Sequence, residues 1–151
     1  MFQVLVFFVT LVAVNVGSFK YASSSQLGTV EFPTSSSGPA QKHFIRGVAA
    51  LHSFWYTEAI SAFEQSTIAD PDFAMGYWGL AMAHNHPLWE DQDKKSASEA
   101  LSKITGFSKL TRREQGYIHA VRLLYGDGEK HIRDKAYSKA MENIYHNYPD
   151  D

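Results

Sequence analysis

The chain contains no cysteine, which removes disulfides, thiol catalysis and thiolate metal sites together. Any metal would have to be held by histidine and carboxylate. An excess of charge of one sign is missing too. Fourteen Lys and Arg stand against sixteen Asp and Glu, a formal net charge of −2, with no long run of either sign. That balance points away from nucleic acid and from acidic lipid as partners. No Gly-rich phosphate loop, GxGxxG element or nucleophile elbow occurs. No carboxylate pair sits in a motif that would fix its environment and tune its pKa. An enzyme is therefore not expected, and no cofactor is expected either.

What is present begins with "MFQVLVFFVTLVAVNVGS". The uncharged apolar run from Phe2 to Val16 is short for a membrane span and suited to a signal-peptide core. Residues 1–18 read as a signal peptide, although its only positive charge is the α-amine. The chain is then expected to be secreted or in the secretory-pathway lumen, without membrane association beyond that segment. There is no Asn-x-Ser/Thr sequon. Residues 19–37 are Ser-rich, lack a sustained period and read as a linker. The folded part is expected from near Ser37, over residues 38–151.

From there the apolar period is helical, and the expected fold is all-α. "SGPAQKHFIRGVAALHSF" carries Phe44, Val48 and Leu51, with Pro39 near the first turn. "YTEAISAFEQSTIA" is expected to bury Tyr56, Ala59, Ile60 and Phe63 and to stop at Asp70-Pro71. Asp72 is the expected cap of "FAMGYWGLAMAH". "DKKSASEALSKI" follows, ending by Gly106. Thr111 with Glu114 makes a capping-box pattern ahead of "RREQGYIHAVRLLY", which Gly126-Asp127-Gly128 ends. The last helix, "EKHIRDKAYSKAMENIYHNY", places Ile132, Ala136, Tyr137, Ala140, Met141, Ile144 and Tyr145 on one face. Six helices pair as three hairpins.

Self-comparison reveals an internal echo. "HSFW" at His52–Trp55 returns as "HPLW" at His86–Trp89, 34 residues on, and the same shift takes Gly47 to Ala81. Gly47, Ala59, Phe63 and Pro71 fall in the register of the small, aromatic and proline positions of a tetratricopeptide repeat (TPR). The chain thus resembles the TPR family over roughly residues 40–151. It departs from the pattern at His43, Arg46 and Ala50, and "EDQDKKS" is a lengthened turn. The resemblance implies helical hairpins stacked as an α-solenoid, acting as a scaffold for a protein or peptide partner. The echo would begin another helix at Pro149-Asp150-Asp151, with no polar capping helix after it, so a longer array is expected.

By that resemblance the first helices of the hairpins line a concave face. The positions are Phe44, Val48, Leu51 and His52, then Met75, Trp78, Met82, Asn85 and His86, then Tyr117, Val121 and Leu124. They are apolar and aromatic, unlike the Lys and Asn of a carboxylate clamp, and suit an amphipathic segment of a partner. The stretch "AHNHPLWED" carries the competing reading. His52 and His86 occupy equivalent positions one repeat apart, and with His84 or Glu90 they form a possible His/carboxylate metal set, in a metal-binding protein or a metal-dependent hydrolase. Against it stands a structural role, in which the histidines end helices and Trp55 and Trp89 plug the core between hairpins. Lys94, Lys95, Lys103, Lys109, Arg112 and Arg113 read as a solvated face, or as a weak site for an acidic partner.

Overall fold

The computed structural model describes residues 27–151; the expected signal peptide, residues 1–18, and residues 19–26 of the expected linker lie outside them. Among the described residues there are six α-helices: α1 (Gly38–His52), α2 (Tyr56–Ala69), α3 (Ala74–Ala83), α4 (Lys94–Ser102), α5 (Arg112–Leu124) and α6 (Lys130–Asn147). The protein is mostly helical, as its period predicts. The described β structure is a two-residue antiparallel ribbon, β1 (Asn85–His86) with β2 (Asp91–Gln92), around a 3-10 turn at Pro87–Trp89. The lengthened turn of the second hairpin is thus a small pinned loop. No described helix is long and apolar enough to cross a membrane.

Local chemistry sets three of the six helix starts. Pro39 sits in the first turn of α1, where its missing N–H costs nothing. Thr111 and Glu114 form the complete capping box that opens α5. Asp93 caps α4, accepting from the Ser96 N–H at 3.0 Å and the Ser96 hydroxyl at 2.6 Å. Asp72, expected to cap α3, does not. Phe73 holds that position without a side-chain bond and buries its ring. It is Asp70 that shapes the turn, accepting the Asp72 N–H at 3.1 Å.

Helices α1 and α2, α3 and α4, and α5 and α6 pack as pairs; α2 also meets α3, and α3 meets both α1 and α5. Tight approach is centred on Phe63, which is fully buried. A Cβ placed on Gly47 or on Gly79 would lie 2.6 Å or 2.3 Å from the Phe63 ring. The absence of a side chain at both positions lets α1 and α3 close over α2. Ala81, the echo of Gly47, is buried beside them, and its carbonyl accepts the Tyr125 hydroxyl at 2.8 Å.

Two expected packing roles are corrected. On α6, Ala140 and Ile144 are buried, while Ile132 and Tyr145 face solvent. The covered stripe is narrow because α6 packs chiefly on α5. Arg133 turns inward instead, donating to the Leu124 carbonyl and to Gln92 Oε1, both at 3.2 Å. Trp55 and Trp89 do not plug the core. They are 45% and 63% exposed, beside Phe54 at 51% and Leu88 at 66%. Left-handed backbone at Phe54 and Glu90 turns both segments outward (φ 58° and 52°).

Candidate functional site

Helices α1, α3 and α5 share one side of the molecule, and the twelve expected concave-face positions, His86 apart, divide there. Phe44, Val48, Met75, Val121 and Leu124 are buried core. Helices α1 and α3 approach so closely over Phe63, with α5 packed on α3, that these side chains meet one another rather than a groove. Leu51, Trp78, Met82, Asn85 and Tyr117 line a cavity of about 320 Å³ together with His52, Tyr56, Tyr137 and Met141. The cavity lies toward the C-terminal ends of α1 and α3.

The other half of this side is covered by the chain itself. Part of the expected linker, residues 27–37, is described, and it is not a bare tether: Leu27, Val30 and Phe32 pack against the core. Phe32 sits among Phe44, Trp78 and Tyr117, with ring centroids 5.3, 5.8 and 5.2 Å away. The Arg113 guanidinium lies 4.2 Å from the Phe32 centroid, a favourable cation–π distance. Phe32 also forms one wall of the open cavity.

Polar contacts fix the backbone on either side of that ring. Gln41 Nε2 donates to the Phe32 carbonyl at 2.8 Å, and the Gln41 side chain also bonds the Thr34 hydroxyl. Arg113 donates to the Pro33 carbonyl at 2.9 Å. Ser35 donates its N–H and its hydroxyl to Glu114 Oε1, at 2.7 and 2.9 Å. The Ser36 hydroxyl reaches Asp70 at 3.3 Å. Glu114 is 0% exposed. Its second oxygen accepts the N–H and hydroxyl of Thr111, at 2.8 and 2.9 Å. A buried carboxylate needs such donors, and this one divides its two oxygens between its own helix cap and the strap.

Arg113, expected on a solvated face, is therefore turned into the site. It also pairs with Asp151, whose carboxylate accepts the Tyr117 hydroxyl at 2.7 Å. Burial raises the Tyr117 pKa, and the hydrogen bond to Asp151 raises it further. Tyr117 consequently remains a neutral donor. Burial opposes the charge on Arg113, and the Asp151 carboxylate more than offsets it.

The histidine set is not brought together. His52 lines the apolar cavity. His86 uses both ring nitrogens locally, 3.0 Å from Asp91 Oδ2 and 3.1 Å from the Ala83 carbonyl, and its ring centroid lies 4.1 Å from that of Tyr56, the planes tilted by 43°. Glu90 is exposed on the turn, and His84 is partly buried beside Asp93. Among the described residues no three His, Asp or Glu side chains are grouped as metal ligands would be.

Phe32, Ser35, Gln41, Arg113 and Glu114 form the part of the site not anticipated from sequence. The available signal was the aromatic–proline pair of "EFPTSSS", which stands out from its small, polar surroundings. Compared with known protein families, characterised proteins and solved structures, the chain matches none.

Proposed function

We propose that the chain is a TPR-type α-solenoid that serves as a protein-interaction scaffold, holding an extended segment of a partner on the face made by α1, α3 and α5. The observation carrying this reading is that a non-helical stretch of polypeptide already lies on that face, its ring among aromatic side chains and its carbonyls hydrogen-bonded. The 34-residue echo and the pairing of helices support the repeat assignment. Beside the covered half, the cavity of about 320 Å³ supplies aromatic anchors and an adaptable methionine, Met82. The signal-peptide reading of residues 1–18 would place the partner in the secretory lumen or outside the cell.

Panning a displayed library of extended peptides against the full-length chain and against Met82→Glu tests the proposal. Peptides with apolar or aromatic anchors should be enriched on the native chain and lost on the variant. The selected peptide should shift the methyl resonances of Leu51 and Met82. Equal enrichment on both chains, or methyl shifts confined to Leu88, would overturn it.

A further inference from the structure

The strap over residues 31–36 is held by contacts that read particular chemical groups, one after another. An aromatic ring occupies a cage of three rings closed by a guanidinium. The two carbonyls at the ring and at the following proline each receive a side-chain donor, Gln41 or Arg113. Proline at that second position has no N–H to leave unpaired and holds the backbone extended. Two residues beyond it, an N–H and a hydroxyl from one residue together serve one oxygen of a buried carboxylate. Serine or threonine meets that last requirement; residues without a hydroxyl do not. Together the contacts describe aromatic–Pro–x–Ser/Thr, non-helical and bent at the serine, read by α1, α3 and α5.

The geometry points to a strap that is a ligand in cis: the partner of this face carries an aromatic–Pro–x–Ser/Thr segment and must displace residues 31–36 to bind. This rests on the scaffold reading above and names the partner's chemistry. Removing the strap empties the aromatic cage and leaves Glu114 Oε1 without its two donors, so the face favours an occupant of the same kind over none. The strap joins α1 almost directly, since α1 starts at Gly38. A tether that short gives an effective concentration on the order of millimolar. A segment in trans must therefore overcome the fraction of time the face is covered, and its apparent affinity falls by that fraction. Whatever weakens the strap raises affinity for the partner without altering the face.

A synthetic peptide of residues 30–37, VEFPTSSS, and its Phe→Ala form provide the test on the full-length chain. The native peptide should bind Phe32→Ala protein at least about tenfold more tightly than native protein, the gain expected when a self-ligand is removed. The Phe→Ala peptide should lose at least about tenfold on the same variant, the cost expected of truncating an aromatic anchor. In native protein carrying 4-fluorophenylalanine at position 32, excess peptide should move the fluorine resonance to its solvent-exposed position. This second measurement decides the matter even where Phe32→Ala fails to fold. An unmoved resonance under excess peptide, or no binding to a helical Phe32→Ala chain, would make the strap a fixed structural element and overturn the proposal. Library peptides that shift Leu51 and Met82 while the fluorine line stays put would overturn displacement alone, leaving the scaffold reading in place.

Discussion

Ser35 donates its backbone N–H and its hydroxyl to the same oxygen of Glu114, a residue 79 positions later in the chain and fully buried. Ser35→Ala removes one bond to a charged acceptor and should cost about 1.5–3 kcal/mol. Glu114→Ala should cost more, roughly 3 kcal/mol or above, because it also dismantles the α5 capping box and strands the donors of Thr111. Urea unfolding with an unchanged m-value is the measurement. Equal stability of Ser35→Ala and the native chain would show that the strap contributes no net energy through this bond.

Gly47 and Gly79 test the close approach over Phe63. Alanine at either position gains about 1 kcal/mol of helix propensity. Against this stands overpacking of about 1–3 kcal/mol, and contacts of 2.6 and 2.3 Å from a new Cβ to a buried ring lie at the severe end. Both variants should destabilise, Gly79→Ala the more. In a Phe63→Leu background the same changes should turn neutral or favourable, and a double-mutant cycle from thermal melts would show the coupling.

His84 gives a pH dependence of definite sign. Burial lowers its pKa most; Asp93 pulls it back up, His86 pushes it down and Glu64 raises it, the net shift being downward. As pH falls through the ordinary histidine value near 6.5, the unfolded chain takes up this proton before the folded one does. Stability present above that value should decline until the folded-state pKa is passed. His84→Gln should flatten this part of the stability profile between pH 7.5 and 5. An unchanged slope in the variant would assign the effect elsewhere.

The three tryptophans report the outward turn of the two echoed segments. Trp78 is 6% exposed, against 45% and 63% for Trp55 and Trp89. Native emission should be dominated by solvent-exposed indole and readily quenched by acrylamide. Trp55→Phe with Trp89→Phe should leave blue-shifted, poorly quenched emission from Trp78. Strong quenching that persists in this double variant would contradict burial of Trp78.

Helix positions and the Thr111–Glu114 capping box were legible because their causes are local in sequence. The site was legible only in part, for physical reasons that differ by residue. Leu51, Met82, Asn85 and Tyr117 could be placed on the right side from hairpin register. Register did not show that Phe44 or Val121 would be buried, since that depends on how far α1 and α3 close over Phe63 and on how α5 packs against α3. The echo of Trp55 in Trp89 showed equivalent environments but not which way they face; the left-handed Phe54 and Glu90 decide that. Phe32 left no periodic trace, because a non-helical strap takes its order from rings and donors 9 to 85 residues away.

In a stack of hairpins where each unit touches only its neighbours, end units can fray without consulting the rest. The strap changes that connectivity. It leaves α1, passes Phe44 and Trp78, and is fastened to Glu114 and Arg113 on α5. The first and third hairpins are therefore linked directly as well as through the second, and opening either one breaks the fastening. The strap thereby closes a circuit across the three helix pairs, a direct link between the first and the third that the pairs alone do not make.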